Sequence, residues 1–213
     1  MVFASRQDAG SRLGARLREL DLKVDRVVGL LRGGVVIAKA VADVLERPLD
    51  VLAVRKIGHP RHREWAAGAL AEKDVIVLDE TNPENDPDFR AGLDEVIAEE
   101  RDRLQRYIAM WHPAIAGRFA GERILLVDDG LATGATAEAA VLSARRQQAR
   151  TIIVAAPVAS ITAVKKLAGV ADDVLVLHAD PAFDAVGRYY AEFDEVSDQQ
   201  IMDLLKGAKA PVS

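Results

Sequence analysis

Short unbroken apolar runs alternate along this chain with stretches in which apolar residues recur every three or four positions. The runs predict buried strands, and the spaced stretches predict amphipathic helices. Strands are expected at 26–31 (RVVGLL), 50–54 (DVLAV), 74–78 (DVIVL), 124–127 (ILLV), 151–155 (TIIVA) and 173–177 (DVLVL). A helix is expected at 5–20, where Ala9, Leu13, Leu17 and Leu20 share one face and Arg12, Arg16 and Arg18 lie mostly on the other. Further helices are expected at 35–45, 135–147, 161–167 and 198–206, with Ser160 and Ser197 as N-caps of the last two. The longest helix, 89–111, carries a stripe of Leu93, Val96, Ile97, Leu104, Tyr107, Ile108 and Trp111. Asp88 is its expected cap and Pro113 helps to end it. That helix reads as packing surface or subunit interface, so a homodimer is an open expectation.

Three stretches break the pattern. Residues 57–68 (IGHPRHREWAAG) are polar and punctuated by glycine and proline, as in a mobile loop. Residues 79–88 are acidic with two prolines and read as a solvated loop, lacking the ligand order of a calcium site. Pro157-Val158-Ala159 reads as a turn. Alternating strands and helices predict an α/β fold with a doubly wound, mostly parallel sheet flanked by helices. No repeat or low-complexity linker divides the chain, so 1–213 is expected to be a single domain.

Composition narrows the picture. Half of the 213 residues are hydrophobic, enough for a sizeable core. A net charge of −5 supplies no global basic field, so neither nucleic acid nor an anionic membrane is an expected partner. Without cysteine there can be no disulfide or thiolate metal site. His59, His62, His112 and His178 form no metal-binding helix motif. The first ten residues lack the apolar core of a signal peptide, and no apolar run approaches the ~20 residues that span a bilayer. A cytoplasmic location is therefore expected.

Candidate chemistry concentrates in 123–136, RILLVDDGLATGAT. Asp128 and Asp129 follow an apolar strand, and open α/β sheets bind ligands at the carboxyl ends of their strands. Gly130 and Gly134 permit a tight turn and close backbone approach. Thr133 and Thr136 add hydroxyls, and a helix starting near Ala135 points unpaired N–H groups at the same spot. Such a helix end suits phosphate, and neighbouring carboxylates accept hydrogen bonds from vicinal sugar hydroxyls. A phosphorylated sugar fits both. An ordinary acidic strand–turn–helix is the plainer alternative. No Gly-Lys-Ser/Thr follows the glycines and no G-x-G-x-x-G occurs, which excludes a P-loop and a dinucleotide fingerprint.

This stretch, with its apolar strand, two acids and Thr-Gly-x-Thr loop, resembles the phosphoribosyl-pyrophosphate motif of type I phosphoribosyltransferases. The tail Phe183-Asp-Ala-Val-Gly-Arg-Tyr189-Tyr190 resembles a segment of phosphoribosyltransferase-like bacterial proteins of unassigned substrate. The resemblance implies the type I phosphoribosyltransferase fold, with a core of about 24–178 and a small hood from about 1–22 and 179–213. It implies transfer of the 5-phosphoribosyl group from phosphoribosyl pyrophosphate to a nitrogenous base, with release of pyrophosphate. Asp128 and Asp129 would take the catalytic role beside the ribose. Ala132, Thr133, Gly134, Ala135 and Thr136 would hold the 5′-phosphate. Magnesium (Mg2+) would be held through substrate oxygens and water, near Asp128 and Asp129, with no direct protein ligand expected.

Arg32-Gly33-Gly34 follows the first core strand, where glycine amides beside a guanidinium can hold pyrophosphate. The resemblance gives that loop this role, although related chains often carry proline where this one has Leu31. Arg55 and Lys56, at the end of the expected 50–54 strand, are further pyrophosphate candidates, or else partners in a salt-bridged strand end. Arg61, His62 and Arg63 could be delivered by a closing loop, or simply decorate the surface. Phe183 and Tyr189 are candidates for stacking on the base, with a small aromatic core as the alternative. Hypoxanthine-guanine enzymes carry aspartate where this chain has Ala132, which fits that acceptor class poorly. A different kind of function stays open as well: a non-catalytic regulator that binds phosphoribosyl pyrophosphate. A hydrolase or salvage enzyme with an unusual acceptor is a third reading.

Overall fold

The computed structural model describes residues 2–79, 82–83, 86–111 and 118–207. His112, Pro113, part of the acidic 79–88 stretch and the end of the expected hood lie outside those residues. In chain order the elements are α1 (Arg6–Glu19), β1 (Arg26–Leu30), α2 (Gly33–Leu45), β2 (Leu49–Leu52), β3 (Val54–His59), β4 (His62–Ala71), β5 (Val75–Leu78), α3 (Pro87–Trp111), β6 (Arg123–Val127), α4 (Ala135–Arg146), β7 (Thr151–Ser160), α5 (Ile161–Leu167), β8 (Asp173–Asp180) and α6 (Asp198–Lys206). A short 3-10 turn, Val186–Tyr189, precedes the last helix.

Five strands form one parallel sheet in the order β2-β1-β6-β7-β8. Side chains alternate across it, and each face builds its own core. Val27, Leu125 and Val127 face α1 and α2. Val28, Ile124 and Leu126 face the alanine-rich side of α4 and the buried ring of Phe119. Gly10 and Gly14 let α1 lie directly on α2, because a Cβ at either would come within 2.8 Å of Ala40 or Val44.

The fold departs from the expected pattern at five places. Residues 57–68 are not a loop. They belong to the β3–β4 hairpin, which turns at Pro60 and Arg61. The hairpin and β5 form a separate antiparallel sheet, so the 74–78 strand is outside the parallel one. This small sheet packs α4 on one face and the apolar stripe of α3 on the other. The composition misled because His62–Trp65 is exposed while Ala67–Ala71 is buried, giving one strand two characters. The expected 50–54 strand is also split. Ala53 N–H turns aside to donate to Glu72 Oε1 at 2.8 Å, and this separates β2 from β3.

The expected turn at Pro157 is instead continuous β7. The proline is skipped in the β7–β8 register, where Ala156 pairs with Val176 and Val158 with His178. Finally, Asp86 rather than Asp88 caps α3, its Oδ1 accepting from the N–H groups of Asp88 and Phe89. Ser160 and Ser197 cap α5 and α6 as expected, the latter in a reciprocal box with Gln200.

Candidate active site

Strands β1 and β6 are parallel neighbours, with Gly29 opposite Val127. The loops leaving their carboxyl ends therefore meet. The Arg32-Gly33-Gly34 stretch, whose glycines open α2 rather than precede it as expected, packs closely against the acidic pair. A Cβ on Gly33 would come within 2.0 Å of Asp129 Oδ2, and one on Gly34 within 2.6 Å of the Val127 carbonyl. The Leu31–Arg32 peptide is cis. Topology thus joins two of the stretches singled out in the sequence, although 95 positions separate Gly33 from Asp128.

Asp128 Oδ1 accepts the N–H of Asp129 at 2.9 Å. Burial pushes the Asp128 carboxyl well above its ordinary range, and the neighbouring Asp129 charge pushes the same way. Burial also raises Asp129, opposed by the Arg6 guanidinium, whose Nε donates to its Oδ2 at 2.8 Å. Two adjacent carboxyls sharing one nearby cation favour a single negative charge over two.

The 132–136 loop follows on the same strand. Gly134 adopts φ +81° and is the N-cap of α4, where it has no side chain with which to cap the first turn. Thr133 Oγ1 accepts the Ala135 N–H at 3.4 Å, and the next N–H groups of the first turn face the mouth of the loop. Ser160 holds the loop from β7, its hydroxyl donating to the Ala132 carbonyl at 2.6 Å. Beside the loop opens a cavity of ≈ 780 Å³ whose walls include Ala132, Thr133, Ser160, Lys165, Phe183 and Asp184.

Other candidates are placed differently. Arg55 and Lys56 are not at a carboxyl end of the parallel sheet but within β3. Arg55 Nε donates to the buried Glu100 of α3 at 2.8 Å, and Lys56 Nζ donates to the Glu64 carbonyl across the hairpin at 3.0 Å. Phe183 lines the cavity, whereas Tyr189 is buried behind it, with the rings 5.2 Å apart and the Tyr189 hydroxyl donating to Asp180. Arg61 and Arg63 pair with Asp86 and Glu99 respectively. Arg32 forms an ion pair with Glu195 of the tail.

Sequence reasoning passed over Arg6 and gave Tyr190 no separate role. Tyr190 donates its hydroxyl to the Asp129 carbonyl, and burial holds its proton firmly. No spacing rule could link either residue to Asp129, since both contacts are long-range.

A family model of the phosphoribosyl transferase domain matches residues 5–184, which include the acidic pair, both loops and Phe183. The chain belongs to that family. Its parallel sheet with flanking helices is the type I phosphoribosyltransferase fold. A Mycobacterium tuberculosis protein, provisionally named a phosphoribosyl transferase, is 39% identical over 212 residues. The match takes in 97% of this chain and 47% of that protein, so the chain spans about half the length of the curated relatives it matches. The crystal structure of TT1426 from Thermus thermophilus is 39% identical with a TM-score of 0.75, covering 96% of this chain and 98% of that one. A hypothetical protein from Neisseria gonorrhoeae with bound ppGpp, 13% identical, covers 96% of this chain and 95% of its own at a TM-score of 0.50, a likeness of fold alone. No helix among the described residues is long and apolar enough to cross a membrane.

Proposed function

We propose that this domain transfers the 5-phosphoribosyl group from phosphoribosyl pyrophosphate to a nitrogenous base, releasing pyrophosphate. One observation carries the reading: the Arg32-Gly33-Gly34 loop touches the Asp128–Asp129 pair, with the α4 phosphate loop leaving the same strand. On this reading three binding chemistries adjoin, as the donor molecule needs. Amides at the start of α4, with Thr133 and Thr136, take the 5′-phosphate. The acidic pair takes the ribose hydroxyls. Arg32 and the Gly33 and Gly34 amides take the pyrophosphate.

In the reaction the C1–O bond breaks and its electron pair leaves with pyrophosphate. A lone pair on the base nitrogen forms the new C1–N bond, and that nitrogen sheds a proton. Positive charge grows on the ribose ring as the leaving group departs, as in glycoside cleavage. A carboxylate fixed beside the ring stabilises that charge without reorganising. The Phe183 wall of the cavity offers an aromatic face for the base. Ala132, on the same wall, presents no carboxylate to a purine edge.

The donor set also fits magnesium carried by the substrate. Among the described residues no group of three or more His, Cys, Asp or Glu is gathered around one point. Asp128 and Asp129 would meet the water shell of such an ion, which would neutralise the pyrophosphate when bound.

The test is a pyrophosphate-release screen with magnesium, phosphoribosyl pyrophosphate and a panel of nucleobases and small amines. Release with one acceptor is expected, together with its loss in the double variant Asp128→Asn, Asp129→Asn while circular dichroism stays unchanged. Tight donor binding without release across the panel would instead identify a phosphoribosyl-pyrophosphate-binding regulator.

A further inference from the structure

Arg6 takes no part in the reading above, yet its surroundings are built. Its side chain is 12% exposed, against 54% for Arg12 and 55% for Arg16 on the same helix. Nε donates to Asp129 Oδ2 at 2.8 Å, Nη1 donates to the Asp194 carbonyl at 2.7 Å, and the guanidinium lies 3.8 Å from the centre of the Phe193 ring. Phe193 stacks on Tyr190 at 5.1 Å, and Tyr190 in turn donates to the Asp129 carbonyl. Asp129 is thus gripped at its carboxylate by the start of α1 and at its backbone by the tail. The grip is tight against the proposed pyrophosphate loop as well. The point where a Gly33 Cβ would stand is 2.0 Å from Asp129 Oδ2 and 3.1 Å from Arg6 Nε.

A carboxylate is planar, so fixing one oxygen aims the other. Asp129 Oδ2 is committed to Arg6, and Asp128 Oδ1 is committed to the Asp129 N–H. The oxygens left over are Asp129 Oδ1 and Asp128 Oδ2, one from each acid, the number that a vicinal diol requires. We infer that Arg6 is a positioning residue for the ribose site, holding Asp129 so that one oxygen of each acid faces the two hydroxyls of a pentose phosphate. Arginine suits the task and lysine does not. Its planar fork donates in two directions and stacks on an aromatic ring at once. The inference rests on the donor reading proposed above and adds a residue that contacts the acid rather than the sugar.

Calorimetry with ribose 5-phosphate and, separately, with inorganic pyrophosphate tests it. Arg6→Gln is expected to weaken ribose 5-phosphate on the order of tenfold, the effect of losing a charged hydrogen bond, while pyrophosphate affinity changes less than about twofold. Arg6→Lys should fail to restore the sugar affinity. In the double variant Arg6→Gln, Asp129→Asn, the loss should be no greater than for Asp129→Asn alone, since Arg6 acts through that acid. Phe193→Ala, at a position 37% exposed, should give a smaller loss of the same kind without unfolding the protein. Additive losses in the double variant, equal losses for both probes, or rescue by lysine would overturn the inference. If the parent protein binds ribose 5-phosphate and loses it in the double aspartate variant, but Arg6→Gln is silent, only this inference falls. If the parent binds neither probe, the donor reading falls and this inference with it.

Discussion

At the scale of single residues, the acidic pair shows how far a candidate binding site can be at odds with stability. Burial and the Asp129 charge raise the Asp128 carboxyl well above the ordinary value of 3.8. A carboxyl raised in this way keeps its proton in the folded state where the unfolded chain has released it. Its stabilising effect is therefore greatest at low pH and is lost as pH rises from the ordinary carboxylate range through the raised folded value. Of the side chains acting on the pair, Arg6 favours charge on both acids, while the charge of Asp129 opposes it on Asp128. Asp128→Asn keeps the oxygen that accepts the Asp129 N–H. The variant is expected to be more stable than the parent at neutral pH, with the gap closing on acidification. Urea unfolding across a pH series checks this, and a gap that widens as pH falls would contradict the assignment.

At the scale of elements, the segment between the 3-10 turn and α6 would compete with the proposed donor. Glu195 pairs with Arg32 in the loop proposed for pyrophosphate. The glutamate side chain is 78% exposed and the arginine 35%, so the pair adds only about 0–1 kcal/mol and yields readily to a stronger anion. Glu195→Gln is accordingly expected to raise pyrophosphate affinity roughly two- to fivefold, with Arg32→Ala abolishing the gain. Calorimetry at low and high salt checks it, and the gain should shrink with salt. Arg55 shows the reverse case. Its partner Glu100 is buried on α3, so the guanidinium ties the hairpin to that helix rather than waiting for a ligand.

At the scale of the molecule, the site depends on the segment before α1 meeting the tail after β8. Phe3 is fully buried, its N–H donates to the Tyr189 carbonyl at 2.8 Å, and its carbonyl accepts the Ala191 N–H at 2.8 Å. Its ring lies 5.7 Å from that of Tyr190. Removing it opens a cavity beside Tyr190 and loosens the junction that Arg6 spans. Phe3→Ala is expected to cost roughly 3–5 kcal/mol, by urea unfolding, and to weaken ribose 5-phosphate more than pyrophosphate. Equal weakening of both probes would show that this junction supports the fold without steering the acids.

Local order of residues was enough to find β1, β6, β8, the main helices and the acidic motif, because apolar period and the strand–acid–glycine order are local properties. The caps at Ser160 and Ser197 were legible for the same reason. The antiparallel sheet was not, since β4 is polar where it projects and apolar where it is covered, and only packing divides the two halves. Pro157 suggested a turn because its missing N–H is a local fact, whereas the register that skips it belongs to the neighbouring strand. Arg32, Gly33 and Gly34 could be named from sequence, but their contact with Asp128 and Asp129 required parallel pairing of β1 with β6. Arg6 was beyond reach altogether. An arginine on an amphipathic helix looks solvated until a distant segment supplies the aromatic ring and carbonyl that bury it.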